Sequence, residues 1–297
     1  MTKSWFLAIR PWSLTASIIP ILFGTVLAIP ESPILQISRL LAALLGGMLL
    51  QIAANLFNTW GDYVTGVDTV ASAHSCPELV TGTMTPKQMK SAAFTCLAGG
   101  GLFGLYLTFE CGWVIMVLGV LGVVGAYCYT AGPYPFKYEG LGTFFVFFLM
   151  GPFMIFPAYY IQAEKLSLLP VLASLPLSCL VMAILHANDL RDLADDYDAG
   201  IRTFALLLGL DKGMIVYFTL YGLCFLSLLG LIVISLLPLS TGLTFLLLPM
   251  AYHQLQDARQ AWLGNRERMI YLVKQAAAFH CLFGSCLIIT AAFGYLL

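Results

Sequence analysis

The sequence predicts an all-α, polytopic membrane protein of about nine transmembrane helices. Two observations carry this expectation. Of its 297 residues 60% are hydrophobic and only 10% charged, where a soluble globular domain carries about 25% charged residues. Apolar runs also recur along the whole chain at about the 20 residues that a helix needs to cross a bilayer. The composition excludes an ordinary soluble enzyme and leaves no room for a separate soluble domain, so residues 1–297 read as one membrane-embedded domain. The net charge of -1, from 14 Lys+Arg and 15 Asp+Glu, removes the basic footprint of a nucleic-acid binder. Nothing in the sequence calls for an obligate protein partner.

Taken in order, the spans are bounded by charged or Gly/Pro-rich breaks. The first, 13–29, follows Lys3, Arg10 and the Pro11-Trp12 corner. No small-residue cleavage site closes a short apolar core there, so it is expected to be a retained helix rather than a signal peptide. Further spans are expected at 39–60, 88–108, 112–130, 141–161, 168–188 and 212–236. The eighth, 240–252, is short and is separated from the seventh by Pro238-Leu-Ser-Thr-Gly242. The ninth is 275–296. Of the eight cysteines, seven lie in or beside apolar runs and no C-x-x-C occurs, so they read as small packing residues.

With the N-terminus in the cytoplasm, the loops on that side hold 12 of the 14 basic residues, and only Arg39 and Lys165 fall outside. The positive-inside rule then places the C-terminus on the opposite side and requires an odd number of spans. Glu31, Glu110 and Glu164 lie outside, which leaves 12 of 15 acidic residues on the cytoplasmic side.

Shifting the sequence by 134 positions aligns residues 51–69 with 185–203. Ala53/Ala187, Leu56/Leu190, Asp62/Asp196, Tyr63/Tyr197, Gly66/Gly200 and Thr69/Thr203 are identical, and Asn55/Asp189 and Asn58/Asp192 fall in register. Each copy ends an even-numbered span. The copies therefore run in the same direction, as parallel repeats do around a central site.

Residues three, four and seven apart share a helix face, so Asn55, Asn58 and Asp62 form one polar stripe and Asp189, Asp192 and Asp196 another. Asp68 follows the first, Asp195 and Asp198 the second. Carboxylates crowded at helix ends beside a bilayer repel unless they face a wet cavity or a cation. Such oxygens suit Mg²⁺, a hard ion usually held by one or two carboxylates together with substrate phosphate oxygens. Asp196-Tyr-Asp198-Ala-Gly200 is not an EF-hand, because no Glu stands at the twelfth position, and no nucleotide P-loop occurs. Lys137, in a Gly/Pro-rich loop, reads either as a phosphate-neutralising ammonium or as a topology anchor. Arg191 and Arg202 read as phosphate forks or as partners of neighbouring aspartates. His74 and His253 read as loop residues. His186 and His280 fall within spans but are too few for paired haem ligation.

Three blocks in order then resemble the motifs of UbiA-type intramembrane aromatic prenyltransferases, across essentially the whole chain. The first is Asn58-Thr-Trp-Gly-Asp62 with Asp68. The second is Tyr129-Thr-x-Gly-Pro-x-Pro-x-Lys137-Tyr-x-Gly-Leu-Gly142, with the later Gly151-Pro152 and Tyr159-Tyr-Ile-Gln162. The third is Asn188-Asp189-Leu-Arg191-Asp192-(x)3-Asp196-(x)3-Gly200-Ile-Arg-Thr203. The middle block looks like the 1,4-dihydroxy-2-naphthoate polyprenyltransferase branch of menaquinone synthesis. The chain departs from the family pattern at Thr59 for a frequent Asp, at Thr143 for Glu and at Ile201 for Lys, and it lacks an Arg within residues 75–82.

The resemblance implies a polyprenyl diphosphate donor, a small aromatic acceptor and Mg²⁺ held by Asp62, Asp68, Asp192 and Asp196. It implies that Asn55, Asn58, Tyr134, Lys137, Asn188, Asp189, Arg191 and Arg202 bind substrate. The product with that acceptor is a demethylmenaquinone, released with diphosphate and CO2. It also implies a multi-pass protein, of the inner membrane in a bacterium. The aromatic run Phe144–Phe148 reads as lipid-facing packing or as lining for the donor's tail. The competing readings are the same fold acting on 4-hydroxybenzoate or haem, and a cation-coupled transporter, which would place acidic or broken-helix residues deep within its spans.

Overall fold

The computed structural model describes residues 2–69 and 77–297. The features at His74, Ser75 and Cys76 lie outside them. The described chain is helical, with no strand and one isolated bridge between Glu139 and Arg202. Its helices are α1 (Thr2–Ile9), α2 (Thr15–Leu27), α3 (Ile37–Val64), α4 (Pro86–Cys111), α5 (Trp113–Cys128), α6 (Gly142–Met150) and α7 (Pro152–Ala163). After these come α8 (Leu169–Ala173), α9 (Leu175–Arg191), α10 (Leu193–Asp198), α11 (Phe204–Val233), α12 (Leu248–Trp262) and α13 (Arg266–Leu296).

Six helical stretches are long and apolar enough to cross a membrane: 4–27, 37–64, 86–111, 142–163, 204–233 and 268–296. Six of the nine expected spans are thus long and apolar enough to cross a membrane. α5, α9 and α12, at 16, 17 and 15 residues, are shorter. Large apolar side chains such as Leu102, Phe109, Trp113, Leu226 and Ile289 stand exposed on the outer faces, as lipid-facing residues of an integral membrane protein do.

Several boundaries differ from the sequence expectation, each for a local reason. The span expected at 141–161 breaks at Gly151, because Pro152 opens α7 and lacks the amide that would continue α6. α11 begins at Phe204, before the expected 212, and bends at Gly209, whose φ of 74° interrupts the helical geometry. α13 begins at Arg266 instead of 275, and α12 runs to Trp262 instead of 252. In α12 and α13 the helix continues into polar sequence where hydropathy gives no signal, whereas the early part of α11 is an apolar run set off from the rest by the Gly209 bend. Residues 239–247, which overlap the first part of the expected eighth span, form a 3-10 helix before α12.

The bundle has two chemically distinct ends. At one, Arg39 pairs with Glu110 and Glu164, and Lys165 with Glu31, which gathers the five charges expected on one side of the membrane. At the other end lie Asp62 and the second acidic cluster. Along α3, Arg39 and Asp62 are about 35 Å apart at about 1.5 Å per residue. The main core joins α2, α7, α9, α11, α12 and α13 around Phe23, Tyr159, Tyr217, Phe279 and Phe283. A second packs α1, α3 and α4 around Phe57 and Met89.

Candidate active site

Both pseudo-repeats end in the same turn. In the first, Thr65 N–H donates to the Gly61 carbonyl and Gly66 N–H to that of Tyr63. In the second, Ala199 donates to Asp195 and Gly200 to Tyr197. Gly66 and Gly200 have φ of +78° and +70°, the left-handed cap that glycine adopts without a Cβ penalty. These turns stop the helices where the stripes of carboxylates emerge. The copies differ one turn earlier, since α3 is continuous through Asn58 whereas the second breaks at Asp192, between α9 and α10.

A loop between α5 and α6 closes the site. Its Lys137 N–H donates to the Tyr129 carbonyl, its Tyr138 carbonyl accepts from Arg202 N–H, and Phe136 stacks on Phe145 at 3.8 Å between centroids. Gly61 admits the loop, since a Cβ there would stand 2.9 Å from Tyr138 Oη and 3.0 Å from the Thr130 carbonyl oxygen. The loop drives Lys137 inward. Its ammonium donates to both Asp62 oxygens at 2.7 Å, and the Tyr138 hydroxyl donates to Oδ1 at 2.8 Å. Burial alone would lower the Lys137 pKa, but Asp62, Asp196 and Asp189 outweigh it and hold it above its ordinary value. Burial and then Asp62 raise Tyr138.

One polar cavity contains Asn58, Asp62, Asp68, Lys137, Asn188, Asp189, Arg191, Asp192 and Asp196, all singled out from sequence. Arg10, Val67 and Asp195 complete its lining. Arg191 forks onto Asp192 at 2.6 Å through Nε and Nη2, and Asn188 donates to the same carboxylate. Arg191 thus sits in the cavity paired with its neighbouring aspartate. The Thr143 hydroxyl donates to buried Asp189 and the Thr203 hydroxyl to Asp196. Burial, and after it the Asp62 charge, push Asp68 up to about 6. Burial likewise pushes Asp196 up to about 6, opposed by Lys137 and helped by Asp192.

Three expected substrate contacts sit differently. Tyr134 is exposed and meets Phe136 edge-on, away from the cavity. Arg202 also has an exposed side chain, and its contribution is the backbone bond to Tyr138. The Asn55 amide lines the larger cavity described below but is engaged by the Ile9 carbonyl and Ser13 Oγ. That anchoring fixes the α1–α2 corner, where Arg10 has φ of +54° and donates to Asn58 Oδ1 and Thr59 Oγ1, both at 3.1 Å. From sequence Arg10 reads only as a positive-inside charge, and Tyr138, Thr143 and Thr203 stand in the motif blocks without an assigned role.

Six carboxylates face three cations in the cavity. That all-oxygen, acid-rich donor set suits a hard divalent cation completed by phosphate oxygens. Among the described residues no three acidic, histidine or cysteine side chains stand close enough to cage an ion. The four-aspartate metal set expected from sequence is therefore not gathered into a ready-made protein cage.

Beyond the polar cavity lies a larger one, of about 330 Å³. The two share Arg10, Asn58, Lys137 and Asn188. Its walls are apolar and glycine-rich. Of the run 144–148, Val146 lines it, while Phe144 and Phe148 are exposed and Phe147 packs on the core.

The UbiA prenyltransferase family model matches residues 17–293. A 1,4-dihydroxy-2-naphthoate octaprenyltransferase of Bacillus subtilis (strain 168) is 29% identical over 286 residues, covering 96% of this chain and 91% of that protein. UbiA prenyltransferase domain-containing protein 1 of Rattus norvegicus is 31% identical over 252 residues, covering 84% and 73%. Among solved structures, the apo form of a UbiA homolog from Aeropyrum pernix K1 superposes with a TM-score of 0.69 at 17% identity, over 92% of this chain and 97% of that one. A UbiA homolog from Archaeoglobus fulgidus bound to DMAPP and Mg²⁺ gives 0.62 at 13% identity, over 96% and 99%. At those identities the structures establish a shared fold.

Proposed function

The chain belongs to the UbiA prenyltransferase family, and from that premise we propose that it transfers a polyprenyl group from a polyprenyl diphosphate to 1,4-dihydroxy-2-naphthoate. The observation that carries the reading is the junction of the two cavities at Arg10, Asn58, Lys137 and Asn188. A polar chamber opening into an apolar one fits an amphiphile with a diphosphate head and an isoprenoid tail. The choice of acceptor is supported by the Bacillus subtilis relative, which spans nearly the whole chain, and by the block at 129–142.

In this reading Lys137, Arg10 and Arg191 bind the diphosphate oxygens, Lys137 as a point charge and the arginines as forks. Asp62, Asp68, Asp192 and Asp196, together with diphosphate oxygens, would hold Mg²⁺, which would supply Lewis-acid neutralisation of charge on the leaving group. The buried position of Lys137 and Asp62 strengthens the same electrostatic stabilisation, because few solvent dipoles compete. The C–O bond breaks with its electron pair leaving on diphosphate. The apolar walls keep water from the allylic cation, so the electron-rich ring carbon bearing the carboxylate attacks it. Loss of CO2 returns the electron pair to the ring. The concentration of basic residues on one side supports a cytoplasmic position for the site end of the bundle.

The test is product mass from membranes containing the protein, a prenyl diphosphate, Mg²⁺ and a panel of acceptors. A prenylated naphthalene-1,4-diol, carrying one tail and no carboxylate, is expected, and it is lost in Asp62→Asn and Asp192→Asn. A prenylated 4-hydroxybenzoate or haem would reassign the acceptor. Solute uptake by sealed vesicles with no prenylated product would favour the transporter reading.

A further inference from the structure

Past the polar junction, α3 presents one polar group to the larger cavity that neither the diphosphate nor the isoprenoid tail calls for. Beyond Asn58 and Asn55 the helix lines the cavity with Gln51, and from Leu50 to Ala42 every residue of α3 that lines it is apolar. Gln51 is therefore the deepest polar side chain that α3 contributes, about 10 Å along the helix from Asn58. The 134-residue offset that relates the two repeats pairs Gln51 with Leu185, and Leu185 lines the same cavity from α9. At this level the repeats give the cavity unlike walls, a carboxamide on one and an alkyl chain on the other.

Gln51 is held in place without being used up. The Ser17 hydroxyl donates to its Oε1, and its Nε2 donates to Asn55 Oδ1, both at 3.4 Å. Asn55 spends its own amide hydrogens on the Ile9 carbonyl and Ser13 Oγ. These bonds set the orientation of Gln51, because the reversed amide would bring two oxygens together. A carboxamide carries two hydrogens on nitrogen and two lone pairs on oxygen. One of each is left without a partner among the described residues. Covering them with hydrocarbon alone is unfavourable, and a prenyl tail has nothing to pair with them. An aromatic acceptor that carries hydroxyls does.

We propose that Gln51 is a specificity-determining residue for the acceptor, its Oε1 accepting the O–H of a ring hydroxyl that is not adjacent to the reacting carbon. Leu185 packs against the part of the ring that bears no oxygen. The assignment rests on the functional reading above in one respect, that the acceptor enters this cavity. It selects a diol such as 1,4-dihydroxy-2-naphthoate over a ring that lacks the second hydroxyl. Because Ser17 and Asn55 hold the amide before the acceptor arrives, little ordering is left for binding to supply.

The test uses the purified full-length protein in lipid nanodiscs, loaded with farnesyl thiodiphosphate, whose carbon–sulfur bond delays transfer. Equilibrium binding of 1,4-dihydroxy-2-naphthoate and of 1-hydroxy-2-naphthoate is measured under argon. The wild type is expected to prefer the diol about tenfold, the worth of one hydrogen bond in a desolvated site. Gln51→Met keeps the length of the side chain and removes the amide, so the preference falls to about twofold or less while thiodiphosphate affinity stays within about twofold. Ser17→Ala frees Oε1 to turn and cuts the preference about threefold, which keeps the proposal testable if Gln51→Met does not fold. Equal binding of the two acceptors by the wild type, no binding of the diol, or a preference that survives the substitutions overturns it. So does a parallel loss of thiodiphosphate affinity, which marks a merely structural role. The two readings fail separately. An intact preference for the diol without any transfer supports the role of Gln51 and removes the reaction, and transfer to the naphthoate with equal binding of both acceptors does the reverse.

Discussion

Replacing Lys137 by Met would leave the Asp62 carboxylate buried with the Tyr138 hydroxyl as its remaining partner among the described residues. The two side chains of this pair are each 8% exposed, and the ammonium lies 2.7 Å from both oxygens, so solvent screens the interaction little. Unpairing a buried charge of this kind costs about 3–5 kcal/mol. The double variant Lys137→Met/Asp62→Asn removes both charges and recovers most of that loss, giving a coupling energy of at least about 2 kcal/mol in the double-mutant cycle. Equilibrium unfolding in mixed micelles reads the stability. Activity follows a different rule: if Lys137 binds the diphosphate as proposed, kcat/KM stays down by about 100-fold or more in the double variant. The reasoning is refuted if the two stability losses simply add. It is refuted equally if Lys137→Met retains transfer within about threefold of wild type.

Arg10→Gln removes the fork onto Asn58 and Thr59 and a cation shared by both cavities. Stability is expected to drop by about 2 kcal/mol and the donor's KM to rise about tenfold, which steady-state kinetics and unfolding titrations check together. Gly66→Ala and Gly200→Ala each meet open space, so each is expected to cost only the left-handed strain of about 1–2 kcal/mol. Unfolding midpoints that differ by more than that between the two would show that the repeated turns are not equivalent. Tyr134→Ala, at an exposed side chain outside the cavity, is expected to keep kcat/KM within about twofold of wild type.

Most of the polar cavity was legible because charge is scarce in a membrane sequence. Asp62, Asp189, Asp192 and Asp196 interrupt apolar helices at i, i+3 and i+4 spacings, and such residues have few places to go except a shared wet cavity. The 134-residue offset told the same story twice, and both copies end in the same glycine turn. Arg10 escaped notice because a basic residue ahead of a first span serves equally as a topology anchor, and only its left-handed backbone turns it toward Asn58. Tyr138 escaped because an aromatic residue in such a sequence reads as packing until Gly61 is seen to admit its hydroxyl. Tyr134 shares a loop with Lys137, and the sequence does not distinguish its exposed side chain from the buried one of Lys137. Helix ends in polar sequence, as at Arg266 and Trp262, were illegible to hydropathy, and the Gly151 break was hidden within one continuous apolar run.

The central claim is that the two acidic turns jointly hold the diphosphate end of a prenyl donor through a divalent cation. Its most direct measurement is equilibrium binding of a prenyl diphosphate to the purified wild type, Asp62→Asn and Asp192→Asn, each with and without Mg²⁺. Mg²⁺ strengthening of wild-type binding by about tenfold or more, lost when either turn is altered, is the expected result. The same Mg²⁺ dependence in all three proteins would contradict it.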